Sequence, residues 1–147
     1  MSFFELTAAG TVLAKAKREL ARLESEKSID HVYNFFVTAY HVTDYLKPVL
    51  SDVDYKALRA DPKIRLCADV CNQAKHMTLT HGRPNPRTCS VSGAVGGAAI
   101  NSVALNASGD RWVRWGDGTQ LEVVRFARAV IALLEQYFAD HGISMQA

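Results

Sequence analysis

A chain of 147 residues, 48% hydrophobic and 22% charged, has the length and composition of one globular domain spanning 1–147. Seventeen Lys and Arg against fifteen Asp and Glu leave a net charge of only +2, so any binding of nucleic acid needs a local basic patch. Three cysteines exclude a fully paired disulfide framework, no run reaches the ~18 apolar residues of a membrane span, and MSFFEL lacks the basic start of a secretory signal. The expectation is a cytoplasmic protein with reduced thiols and no membrane association.

The first helix is predicted over 3–27. Ser2 and Glu5 read as a capping box, and Leu6, Ala9, Leu13, Ala16, Leu20 and Leu23 recur at spacings of three and four. That narrow apolar seam suits an antiparallel bundle and also the pairing of two protomers. The second helix is predicted over 30–47, capped by Ser28 or Asp30, with Val32, Phe36, Ala39 and Leu46 on its core face. Pro48 ends it, because the residue before a proline is pushed out of the helical region. A short helical turn over 53–59 follows.

Asp61 and Pro62 give the third helix its start, with the cap and first-turn proline that helices favour. It is predicted over 62–80 and ends before Gly82. The segment 83–118 changes character, opening with RPNPR and containing GAVGG. It reads as a β-rich insertion, with strands at 99–105 and 111–115 and turns at the Gly-Asp and Asp-Gly pairs. The last helix is predicted from Thr119, with Thr119 and Glu122 as a second capping box and Gly142 as its stop. The predicted fold is mainly α: a four-helix up-down bundle with a small β-hairpin or flap between helices three and four.

Two polar rows stand apart from the apolar faces. On the third helix, Arg65, Asp69, Asn72 and His76 are spaced four, three, four, which puts them on one side. On the second, Asn34, Thr38, His41 and Tyr45 repeat that spacing, with Asp44 at the margin. A solvated face explains such rows as well, and Arg65 with Asp69 is an ordinary ion-pair spacing. Composition favours function, because Asn and His are poorer helix formers than the Lys, Glu and Gln of a purely solvated face. In Asn72–His76 the histidine suits general acid–base work, the asparagine can orient a substrate oxygen, and Lys75 can meet a phosphate. Asp69 or Asp44 can hold the imidazole tautomer. The two rows are expected to meet in one pocket, Asn34 with His76 and His41 with Asp69.

NFFVTAYHVTDYL followed by CADVCNQAKHM resembles the HEPN superfamily of small four-helix bundles, over about 29–79. The resemblance implies RNA or nucleotide handling, in many members as a metal-independent ribonuclease of toxin–antitoxin or phage-defence systems. It also implies a homodimer, with an antitoxin or other cognate protein as a further partner, and no cofactor. The family signature is an Arg, a polar residue beside it, and a His four to six residues after the Arg. His76 and Asn72 match the last two, making His76, Asn72 and Asp69 the catalytic candidates. Lys75, Arg65, Asn34, His41 and Asp44 are the substrate-binding candidates. Cys71 stands where the signature has Arg, so the phosphate-binding charge must come from Lys75, Arg65, Arg83 or Arg87, or be missing. Without it the alternative is a homodimeric helical binding or adaptor module.

Other constellations fit the sequence less well. His41-x-x-Asp44 has ligand spacing on one helical turn, but the di-metal bundles need a second copy on another helix, so no metal is expected. Cys67 and Cys71 lack the loop spacing of structural zinc sites and read as small buried residues. GAVGG lacks the Gly-Lys-Ser/Thr ending of a phosphate loop. Trp112, Arg114 and Trp115 suit either a nucleic-acid stacking platform or a hairpin packed on the bundle by its tryptophans.

Overall fold

The computed structural model describes residues 6–75, 89–92 and 110–145. Within them the chain is mainly helical, with α1 (Ala9–Ser25), α2 (Ile29–Leu46), α3 (Asp52–Ala60), α4 (Pro62–Lys75) and α5 (Val123–Asp140). A small antiparallel sheet joins β1 (Cys89–Ser92), β2 (Trp112–Trp115) and β3 (Gln120–Glu122), in that order. The predicted strand at 99–105 and the Ser2–Glu5 capping box lie outside the described residues. No helix among the described residues is long and apolar enough to cross a membrane.

Helix α1 begins at Ala9, later than the predicted 3. Ala8 is extended and has no capping side chain; instead Thr11 Oγ1 accepts from the Ala8 amide at 3.2 Å and donates to the Ala8 carbonyl at 2.7 Å. The seam also differs. Leu13, Ala16 and Leu23 are buried as expected, but Glu19 is buried where Leu20 was expected, and Leu20 is only partly covered. Glu19 enters the α1–α2 interface because cations meet it there. Its Oε1 binds Lys15 at 3.1 Å and Arg22 at 2.7 Å, and Lys15 also donates to Thr38 of α2 at 3.0 Å.

Helix α2 is capped by Ser28, whose hydroxyl accepts from the His31 amide at 3.2 Å. The predicted helical turn at 53–59 is a nine-residue helix, α3, with a cap and an anchor of its own. Ser51 caps it through the Asp54 amide at 3.1 Å, Leu58 is fully buried, and the Arg59 guanidinium lies 5.0 Å from the centre of the Tyr40 ring.

The last helix starts at Val123, not at Thr119. Gly116–Gly118 close a tight hairpin in which Gly118 takes φ +93°, a conformation glycine adopts without strain. Trp115 N–H then donates to the Thr119 carbonyl at 2.9 Å, and 120–122 pair with β2 as a strand. Glu122 is therefore the cap itself. Its carboxylate accepts from the amides of Val124 at 3.0 Å and Arg125 at 2.7 Å. At the other end Gly142 takes φ +62°, Ile143 N–H donates to the Phe138 carbonyl and Gly142 N–H to that of Ala139. That is a Schellman stop at the predicted glycine.

The core runs from α1 and α2 into α5 and the sheet. Phe35 and Phe36 meet edge to face at 5.0 Å, Phe36 lies 5.3 Å from Phe126 of α5, and Phe126 lies 6.2 Å from Trp115 of β2. Val113 and Trp115 point inward while Trp112 and Arg114 point outward, so the sheet covers the bundle with one face.

Candidate functional site

Helix α4 carries the strongest of the predicted rows. Asp61 starts it by accepting from the Lys63 amide at 2.8 Å, and Ile64, Cys67, Val70 and Cys71 form its buried face. The Cys67 thiol donates to the Phe36 carbonyl at 3.9 Å, fixing α4 against α2. The helix is continuous from Pro62 to Lys75, so Arg65, Asp69 and Asn72 stand on successive turns of one side. Arg65 and Asn72 are exposed, whereas Asp69 is buried. The row thus follows the rim where α4 meets the sheet. Lys75 is the last residue of α4, and His76 lies outside the described residues.

A groove of about 410 Å³ opens along that rim, lined by Arg65, Leu66 and Asp69 from α4 and by Trp115, Asp117 and Thr119 from the β2–β3 hairpin. The indole N–H of Trp115 is buried and finds no acceptor among the described residues. Asp117 Oδ1 accepts from the Thr119 amide at 2.9 Å, and that bond holds the Asp117 carboxyl below its ordinary range. Cys89, in register with Trp115 on β1, is buried beside this rim. Burial first, then the charge of Asp69, pushes its thiol up to about 11. The groove brings together one cation, two carboxylates and a buried donor against apolar walls, which suits a polar, partly aromatic ligand better than a simple anion.

The row on α2 points elsewhere. Thr38 is buried against α1, where it accepts from Lys15, and Tyr45 Oη donates to the Leu6 carbonyl of the segment before α1 at 3.2 Å. His41 pairs with Asp44 on the surface at 3.5 Å, and Asn34 is exposed. None of Asn34, His41 and Asp44 lines the groove, so the expected meeting of the two rows does not extend to His41 and Asp69. The reason is angular: Thr38 and Tyr45 face α1 and the segment before it, Asn34 and His41 are exposed, and Phe36 faces α4. Among the described residues no three His, Cys, Asp or Glu side chains gather as metal ligands do.

Sequence reasoning missed Trp115, Asp117 and Thr119 as groove residues. The alternation over 111–115 puts Trp115 with Val113, opposite Trp112 and Arg114, but reads Trp115 only as part of a stacking platform or a packed hairpin, and Asp117 and Thr119 read as turn and helix cap. The inward alternation of Val113 and Trp115 was the available signal. Compared with protein-family models, with curated proteins and with solved structures, the chain matches none.

Proposed function

We propose that the chain is a HEPN-like domain that handles RNA or nucleotides along the exposed rim of α4, as a homodimer. The observation that carries this reading is the α4 row: Arg65 and Asn72 exposed on one side of a continuous helix, with Asp69 between them at the edge of a groove. In this reading α1, α2, α4 and α5 form the up-down bundle, and α3 belongs to the long connection between its second and third helices. Arg65 and Lys75 meet backbone phosphates, Asn72 orients a substrate oxygen, and His76 serves as general acid or base with its tautomer held by Asp69. Asn34, His41 and Asp44 stand outside this site.

A second reading is favoured by one position. Cys71, where the family signature has Arg, is fully buried. A side chain there packs the helix interface and offers a phosphate nothing, so the charge that stabilises a cleavage transition state has to come from elsewhere, from Arg65, Lys75, Arg83 or Arg87. This favours a module that binds RNA, or a cognate protein partner of an antitoxin-like kind, without cutting.

A ribonuclease and binding assay on the wild type and His76→Ala separates the two. Cleavage that disappears in His76→Ala supports the enzyme, and tight binding without cleavage supports the module. Neither binding nor cleavage across structured and unstructured RNAs contradicts the enzyme and the RNA-binding module alike.

A further inference from the structure

The tryptophan and arginine of β2 that face outward have no part in the α4 groove. Trp112 is 38% exposed, a large fraction for so apolar a ring. Its neighbour on β3 is Glu122, and Arg114 lies between Ser90 and Gln120, so no bulky apolar side chain on this sheet face accounts for a tryptophan. Trp112 instead forms one wall of a cleft of about 500 Å³ between the end of α1 and the start of α5.

The charged side chains lining this cleft balance, three acidic against three basic, but they are not all paired with one another. Lys27 holds Asp110 at 2.7 Å, Arg128 holds Glu24 at 3.2 Å, and the carboxylate of Glu122 is engaged by two α5 amides. Arg125, opposite Trp112, has no ion pair among the described residues, and neither has Arg114. Among the described residues this leaves an open aromatic ring with two guanidinium groups outside any ion pair, Arg114 two residues along the strand and Arg125 in the cleft wall, where Asp110 feels its charge. A strand advances by about 3.3 Å per residue, so Trp112 and Arg114 stand roughly 7 Å apart on one side of β2, within reach of a base and a phosphate beside it.

We propose that this face binds single-stranded nucleic acid, one base stacking on Trp112 and the flanking phosphates meeting Arg125 and Arg114. A ring accepts any base through its π-face, and the arginines supply the matching charge. A duplex does not fit, because its bases are already stacked on each other. The cleft shares no lining residue with the α4 groove and is a second contact on the same molecule. Only the choice of RNA over DNA rests on the α4 reading.

The test is fluorescence anisotropy of a labelled oligouridylate, its deoxy counterpart and an RNA duplex, with the full chain. Trp112→Ala weakens single-strand binding about tenfold, while Trp112→Phe keeps most of it. Arg125→Ala lowers the slope of log affinity against log salt by about 0.7. Circular dichroism confirms the fold of each variant, and Trp112→Phe and Arg125→Ala keep the test decisive if Trp112→Ala does not fold. Wild-type affinity and salt slope in all three variants, with binding lost in Arg65→Ala, overturns this proposal and leaves the α4 reading standing. Loss in Trp112→Ala with none in Arg65→Ala supports it and counts against the α4 site. A wild type that binds no oligonucleotide overturns both.

Discussion

Buried thiols and an unpartnered indole set the chemistry of individual residues. Cys67, Cys71 and Cys89 are all buried, and burial pushes the Cys67 thiol far up while Cys89 sits at about 11. An aromatic disulfide reagent should therefore leave the native protein unmodified at neutral pH and label three thiols after unfolding; rapid native labelling would contradict this burial. The linkage has a sign. A thiol whose folded pKa is raised stays protonated after unfolded thiols have ionised. The stability tied to Cys89 is therefore present below pH 9.0 and lost towards about 11. Denaturant midpoints should fall over that window less steeply in Cys89→Ala than in the wild type. Trp115→Phe should cost little, about 1 kcal/mol or less, since its indole N–H has no acceptor among the described residues to lose, whereas Trp115→Ala should cost about 3–5 kcal/mol. Equal losses in a thermal melt would show that the N–H is bonded after all.

At the scale of elements, patterns repeated over several turns were legible in the sequence and single switches were not. The α2 core face, the Asp61–Pro62 start of α4 and the Gly142 stop all read correctly, because each rests on local backbone chemistry. The start of α5 was misread because Ser/Thr-x-x-Glu fits two outcomes. The Asp117–Gly118 hairpin holds Thr119–Glu122 in the sheet, and pairing with β2 overrides the capping signal. The burial of Glu19 is not legible locally, because Lys15 and Arg22 at ion-pair spacing fit a solvated face equally well and only the contact of Lys15 with Thr38 of α2 draws them inward. The α4 row was readable as far as Asn72, yet its groove was not, since Trp115 and Asp117 come from a hairpin some 50 residues on. One tertiary contact of α1 was equally invisible. The backbone of Met145 passes so close to Gly10 that a Cβ there would collide with it. Gly10→Ala should destabilise by about 1–3 kcal/mol, and truncating the chain after Gly142 should remove that penalty. A Gly10→Ala melt identical to wild type would mean that the C-terminal residues do not pack there.

For the whole molecule, the structure sets two surfaces side by side on one helical body: the α4 rim with its groove, and the outer face of the sheet with Trp112. The homodimer reading predicts a light-scattering mass twice the 16.2 kDa of the chain at micromolar concentration, and a mass of 16.2 kDa would count against it. The central claim is that the α4 rim handles RNA. An NMR titration of the full chain with a short RNA tests it most directly, because every amide reports its own position. The account predicts that amides of Arg65, Asp69, Asn72 and Lys75 shift together and saturate at one ligand concentration. A titration in which the RNA binds, yet these amides stay still while those of other elements move, would contradict it.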